Sequence, residues 1–111
     1  MNPFCYIDGA LIVDSLETQV VEGKPPGVFF KVKCSGLPYP IFAYGILANE
    51  IYAYTTAASE FDLVRFEVSV KANLLYFPDS NVLRLAATEI TYHISSKHRL
   101  RANEILTSMP A

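Results

Sequence analysis

The chain has 111 residues, enough for one domain with one core, and this length excludes a two-domain enzyme. Hydrophobic residues make up 51% and charged residues 18%, more apolar material than so small a volume can bury, so some of it is expected at a subunit interface. The formal net charge of -2 excludes a uniformly basic surface, and any nucleic-acid site must therefore be a local patch.

Targeting signals and cysteines indicate the cellular compartment of the protein. No apolar run approaches the roughly 20 residues of a membrane helix, and no signal-peptide pattern opens the chain, so we expect a soluble, cytoplasmic protein without a membrane partner. Cys5 and Cys34 are then expected to be reduced thiols. If the first two strands pair as a hairpin centred near residues 19 and 20, the two cysteines face each other and a cross-strand disulfide remains an alternative.

The first half of the chain predicts three strands. Residues 4–14 form a strand that is apolar on both faces, and a Pro- and Gly-containing loop follows it. In the second strand, residues 28–34, Val28, Phe30 and Val32 alternate with Phe29, Lys31 and Lys33, a period of two that places one set inside and the other in solvent. Residues 41–44 form a short third strand.

A change of period marks one helix. Leu47, Ile51, Tyr54 and Ala58 recur at spacings of three and four, which predicts a helix of about three turns. Thr55 and Thr56 should weaken its end, because β-branched residues lose side-chain freedom in a helix.

The second half predicts a long hairpin. Residues 64–71 alternate as a fourth strand, and residues 77–81 supply the turn. In the last strand, residues 82–94, the apolar set changes parity between Leu85 and Ile90, which predicts a bulge within residues 86–88.

This element order predicts an all-β domain over residues 1–96: a five-stranded Greek-key barrel of the OB type, with one helix between the third and fourth strands. An SH3-like barrel would place no three-turn helix there. Residues 97–111 are expected to form a short basic tail or helix, which Ser95 or Ser96 could cap; a frayed terminus is the alternative. The densest basic cluster of the chain lies here: Lys97, His98, Arg99 and Arg101.

Four segments resemble one protein family in their order and spacing. They are residues 7–11, residues 42–50 followed by Tyr54, residues 63–70, and the pair Thr88 and Glu89. Together they cover roughly residues 2–94 and resemble the bacterial and plastid single-stranded DNA-binding proteins. The size is similar to that of the tail-less members, such as the primosomal protein of this family or the short cyanobacterial and plastid variants.

The resemblance implies a non-sequence-specific binder of single-stranded DNA. It places Tyr44 where the family stacks a base on an aromatic ring, and Tyr76 and Phe77 in a hairpin that could close over DNA. The alternatives are a barrel tyrosine at position 44 and hairpin packing at 76 and 77. Cations at or near the outward parity of the strands are candidate phosphate contacts: Lys31, Lys33, Lys71 and Arg84.

The chain departs from the family in two respects. It has no tryptophan, which leaves fewer stacking platforms, and it ends without the family's acidic tail, so recruitment of partners by such a tail is not expected. The doubly apolar first strand predicts a homodimer or homotetramer formed through that strand, as in the family.

Catalysis has no support in the sequence. His93 and His98 lie five residues apart across the predicted end of the last strand, and no Cys-x-x-Cys pair, phosphate-binding glycine loop or Gly-x-Ser-x-Gly motif occurs. We therefore expect no enzyme activity, no metal site and no cofactor. The rival hypothesis is an OB module that has lost nucleic-acid binding and serves as a protein-interaction or assembly subunit, which the high apolar content and the negative charge favour.

Overall fold

The computed structural model describes residues 3–19, 22–23 and 26–109. The elements in chain order are β1 (Phe4–Ile12), a 3-10 turn (Val13–Ser15), β2 (Glu17–Gln19), β3 (Gly27–Cys34), β4 (Leu37–Tyr44), α1 (Gly45–Glu60), β5 (Arg65–Phe77), β6 (Val82–His93) and α2 (Ser96–Ser108). Neither helix in this part of the chain is long and apolar enough to cross a membrane.

The strands close into a barrel. Their order is β1-β5-β6-β4-β3-β2, and β1 returns to pair with β3 through Ala10 with Lys33 and Leu11 with Val32. The five long strands and the helix between β4 and β5 confirm the predicted barrel, to which the structure adds β2 as a short edge strand. The first strand is shorter than predicted, because the chain leaves it after Ile12 in the 3-10 turn.

Gly9 permits the closing contact. A Cβ atom at this position would overlap the backbone carbonyl of Lys33, so only glycine lets β1 approach β3 this closely. The resulting register sets Gly9 beside Cys34, while Cys5 pairs with Ala72 of β5. The hairpin centred near residues 19 and 20 is therefore wrong, and both cysteines are free and half-buried.

Alternating residues of the strands and one face of α1 form the core. Its most deeply buried apolar side chains are Leu11, Phe30, Val32, Ile41, Ile51, Val68 and Val70. The predicted helix face is confirmed, with Ile51, Tyr54 and Ala58 buried. α1 continues to Glu60 despite its two threonines, because Thr55 is packed in the interior and tertiary packing outweighs the low helix propensity of threonine.

The predicted bulge in the last strand is confirmed. The β5–β6 register shifts between Lys71, which pairs with Glu89, and Ala72, which pairs with Ala87. Thr88 is the extra residue, and its hydroxyl donates a hydrogen bond to the carbonyl of Lys71 at 3.1 Å. Because one residue is added, both Leu85 and Ile90 can point toward the core although their sequence parity differs.

α2 packs against α1, so the helix alternative for the end of the chain is the one observed. Ser95 caps it: the Ser95 hydroxyl accepts the His98 backbone N–H at 3.1 Å. His98 is only 2% exposed, and its Nε2 bonds the carbonyl oxygen of Tyr54 at 2.8 Å. A residue predicted within a basic cluster is thus an anchor of this helix.

Candidate nucleic-acid interface

Three aromatic side chains lie side by side on the outer face of β3 and β4. Phe29 pairs with Phe42 and Gly27 with Tyr44 across the two strands, while Val28 and Phe30 point inward. The Phe42 ring centroid is 5.6 Å from that of Phe29 and 5.2 Å from that of Tyr44. Phe42 is covered by its neighbours, whereas Tyr44 is 57% exposed. We call Phe29, Phe42 and Tyr44 the aromatic face.

Gly27 shapes this face. A Cβ atom at position 27 would lie 3.2 Å from two ring carbons of Tyr44, so the ring lies close over the glycine backbone. More than half of the Tyr44 side chain nevertheless remains exposed to solvent. Tyr44 also ends β4, because Gly45 begins α1 with a φ of 61°, a left-handed value that glycine adopts without strain. The ring is therefore held at the junction of strand and helix.

Two predicted cations border the aromatic face. The Arg84 guanidinium lies 5.9 Å from the Phe29 ring centroid, and Lys31 is exposed on the outer side of β3. Both line a shallow groove of about 300 Å³ together with Phe29, Pro40, Ser15, Glu17 and Gln19. Glu17 is a carboxylate within this groove, so the potential there is not uniformly positive. Lys33 continues the exposed lysine row of β3.

The other predicted residues lie elsewhere. Lys71 is on β5, with Nζ 4.7 Å from the Phe4 ring centroid on β1. Tyr76 and Phe77 are at the end of the β5–β6 hairpin, 58% and 43% exposed. The Tyr76 hydroxyl donates to Oδ1 of Asn81 at 2.5 Å, which ties that ring to its own turn. The candidate residues therefore form a main group around Tyr44, a hairpin group, and Lys71.

The basic cluster near the C-terminus does not form a free patch. The Arg101 guanidinium pairs with Glu60 at 2.7 Å and with Glu104 at 3.3 Å. Arg99 donates to the carbonyl oxygen of Tyr92 at 2.8 Å, and Lys97 lies 4.9 Å from the Phe61 ring centroid. With His98 buried, all four members of the cluster are engaged in contacts within the fold.

Phe29 and Phe42 are the members of the site that sequence reasoning missed. Phe29 carried a signal, since it is an aromatic residue in the outward set of an alternating strand whose other outward residues are lysines. Phe42 carried none, because the residues on both sides of it are also apolar. Only the cross-strand register brings the two rings together.

Comparison with solved structures bears on the fold. A small single-stranded DNA-binding protein from Streptomyces coelicolor matches with a TM-score of 0.55 and 16% identity, covering 85% of this chain and 95% of that one. A mitochondrial single-stranded DNA-binding protein from S. cerevisiae matches with a TM-score of 0.60 and 13% identity, covering 84% and 95%. The dimeric N-terminal domain of PriB from Thermoanaerobacter tencongensis matches with a TM-score of 0.54 and 15% identity, covering 85% and 98%.

The chain has the OB fold. At these identities the matches establish the fold, and the resemblance predicted from the sequence is confirmed at that level. No protein-family model matches the sequence, and no curated protein matches it.

The aromatic face occupies a recognised position in this fold. OB folds bind oligonucleotides on the face of their second and third strands and on the adjoining loops. In this chain the second and third long strands are β3 and β4, which carry Phe29, Phe42 and Tyr44. The β5–β6 hairpin with Tyr76 and Phe77 corresponds to one of those loops.

Proposed function

We propose that this protein binds single-stranded DNA without sequence specificity, through the aromatic face and the cations beside it. The observation that carries the proposal is the cluster of Phe29, Phe42 and an exposed Tyr44 on the binding face of an OB fold. Aromatic rings stack on any base, because every base has a π-face, so such a surface is sequence-tolerant. The S. coelicolor and S. cerevisiae proteins that share the fold are described as single-stranded DNA-binding proteins.

Each predicted residue has a distinct role in the proposal. Tyr44 is the main stacking platform, because its ring is exposed at the end of β4. Lys31, Lys33 and Arg84 neutralise phosphates along the β3 side of the aromatic face, and each contact releases counterions. Tyr76 and Phe77 contact the DNA from the β5–β6 hairpin, while Lys71 neutralises a phosphate at a distance from the other cations. The role requires neither catalysis nor a cofactor, and we place it in the cytoplasm.

The rival function is that of an OB assembly subunit without nucleic-acid binding. The negative net charge favours it, and so does the engagement of the C-terminal basic cluster in internal contacts. We favour DNA binding because the remaining exposed lysines of β3 and Arg84 adjoin the aromatic face, which an assembly subunit would not require.

Titration with oligo(dT) at low salt separates the two functions. Stacking on Tyr44 should quench tyrosine fluorescence, and the affinity should fall steeply as salt rises, since phosphate contacts release counterions. Absence of any quenching or mobility shift at micromolar protein would favour the assembly subunit. A sulfated polysaccharide of matched charge is the control, because it offers anions without bases to stack.

We also propose that the protein self-associates through β1. Residues 4–9 pair with β5 on one side, whereas among the described residues the pairing of β1 with β3 on the other side involves only Ala10 and Leu11. Within the described part of the chain, the other edge of the first part of β1 thus presents backbone groups without a strand partner, which a second copy can satisfy by antiparallel strand pairing. The related PriB domain is described as dimeric.

A further inference from the structure

The aromatic face is one end of a longer row of outward side chains. Residues that pair in register on neighbouring strands have their side chains on the same face of the sheet. Four such pairs connect in series: Phe29 with Phe42, Phe42 with Ala86, Ala86 with Asn73, and Asn73 with Phe4. The row crosses β3, β4, β6, β5 and β1. With neighbouring strands about 4.8 Å apart, its four steps span about 19 Å of the outer barrel surface.

The far end of the row repeats the chemistry of the near end. At the near end Arg84 lies over Phe29; at the far end Nζ of Lys71 lies 4.7 Å from the Phe4 ring centroid. Tyr6 adds a second ring there, edge-on to Phe4 with the centroids 5.7 Å apart. Phe4 and Tyr6 are 49% and 68% exposed, so both rings can accept a stacked base.

The middle of the row offers a path between the two ends. Ala86 and Asn73 are small and half-buried, so no large side chain stands between the aromatic face and the Phe4 ring. Glu89 lies opposite Lys71 on β6. Among the described residues, however, Lys71 forms no ion pair and extends over the Phe4 ring instead. Its charge thus remains available to a phosphate beside that ring.

We propose that Phe4, Tyr6 and Lys71 form a second binding station for the same single strand, which crosses the β-strands of the barrel from the aromatic face to β1. This inference rests on the proposed function and adds the path that the DNA follows. Bases stack on Phe4 and Tyr6, and Lys71 neutralises a phosphate. The station is compatible with self-association, because the Phe4 and Tyr6 side chains project from the outer face of β1 and not from its hydrogen-bonding edge.

The length of the oligonucleotide tests the second station. Oligo(dT) of about 4 nucleotides should occupy the aromatic face alone, whereas one of about 16 can reach both stations, these being the limits of site size for one OB fold. We expect the double variant Phe4→Ala/Tyr6→Ala to bind the long oligonucleotide at least about thirtyfold more weakly and the short one as the unmodified protein does. Lys71→Gln should lower the slope of log K against log salt by about 0.7 for the long oligonucleotide only.

Lys97→Gln is the matched control, because Lys97 also lies over a phenylalanine ring, on the α2 side of the molecule. It should leave both affinities and the salt slope unchanged. If the unmodified protein binds neither oligonucleotide, the proposed function fails; if it binds both and the three station substitutions change nothing, only the second station fails. A lower mass of the double variant in light scattering, with unaltered affinity, would instead make this surface a subunit contact and overturn the inference.

Discussion

Tyr44 combines a structural position with the exposure that the proposed stacking requires. Its ring lies close over Gly27, and more than half of the side chain is exposed, so a base can reach the ring from solvent. If the Tyr44 ring were buried, Tyr44 would be a residue of the barrel interior, which is the alternative that the sequence left open. The exposure of this one side chain therefore makes the DNA-binding proposal physically possible.

Tyr44→Ala should weaken binding of oligo(dT) about tenfold, since one base stacked on an aromatic ring contributes about 1–3 kcal/mol. Tyr44→Phe keeps the ring and should retain most of the affinity. Fluorescence anisotropy of a labelled oligonucleotide measures both. Leu100→Ala serves as the control, because Leu100 is a 64% exposed apolar residue of α2; equal losses for Tyr44→Ala and Leu100→Ala would argue against stacking at Tyr44.

Tyr92 is an unusual core residue. Its ring stacks on that of Tyr54 with centroids 3.9 Å apart, but its buried hydroxyl has no hydrogen-bond partner in the described part of the chain. Burial, reinforced by the carboxylate of Glu50, raises the pKa of Tyr92 far above its ordinary value. The folded state thus holds this phenol neutral.

Tyr92→Phe should increase the free energy of unfolding by about 1 kcal/mol at neutral pH, because it removes an unsatisfied buried polar group. The pKa of Tyr92 is higher in the folded than in the unfolded state. The phenol therefore leaves the stability of the fold unchanged below the ordinary tyrosine pKa of about 10 and lowers it as the pH rises beyond that value. The variant should therefore lose less stability than the unmodified protein above about pH 10. Urea unfolding across this range measures the effect. Tyr54→Phe is the control: it removes a hydroxyl that accepts a hydrogen bond from Arg99 at 3.4 Å, so it should not increase the free energy of unfolding.

At the scale of elements, α2 is fixed to the barrel by few side chains. Ala102 and His98 are its buried residues, and Arg99 reaches the carbonyl of Tyr92 on β6. Rings surround the imidazole, with the Phe66 centroid 5.2 Å away. The helix therefore bridges α1 and β6 and is part of the packed structure.

His98→Ala should lower the free energy of unfolding by about 3 kcal/mol, because it leaves a cavity and removes the hydrogen bond to the Tyr54 carbonyl. Leu100→Ala on the same helix should change it by less than about 0.5 kcal/mol, since Leu100 is 64% exposed. Chemical denaturation of both variants gives the comparison. A small effect of His98→Ala would mean that the imidazole does not anchor α2.

At the scale of the whole molecule, the net charge and the apolar surface bear on how the protein binds DNA and whether it self-associates. The net charge of -2 cannot by itself attract a polyanion, so the proposed binding requires the few cations that border the aromatic face, and the nearby carboxylate of Glu17 opposes it. Some of the exposed apolar side chains can be buried between subunits if two copies pair through the open edge of β1. Both features are consistent with the proposed oligomer, in which several copies of the aromatic face would bind one DNA strand together.

Light scattering should return at least twice the chain mass of 12.4 kDa, because pairing of two β1 strands satisfies backbone groups that one copy leaves open. A mass of one chain at micromolar concentration would contradict self-association through β1. The measurement does not depend on DNA, so it separates assembly from binding.

The sequence by itself determined the local features of this protein. Alternation predicted the inward and outward sets of β3 and β5, the parity change in the last strand placed the bulge within residues 86–88, and a change of period located α1. These features depend on neighbours along the chain, and a repeat of two or 3.6 residues is visible there. The order of the elements was then sufficient to predict the OB barrel.

Only the tertiary structure decided which distant residues meet. The register of β1 against β3 separated the two cysteines, the packing of α2 buried His98 and engaged the rest of the basic cluster in contacts within the fold, and the β3–β4 register joined Phe29 to Phe42. A shift of one residue in strand pairing reverses every side chain, and pairing depends on contacts between segments far apart in the chain. The row from Phe29 to Phe4, which spans five strands, exists only after the barrel has closed.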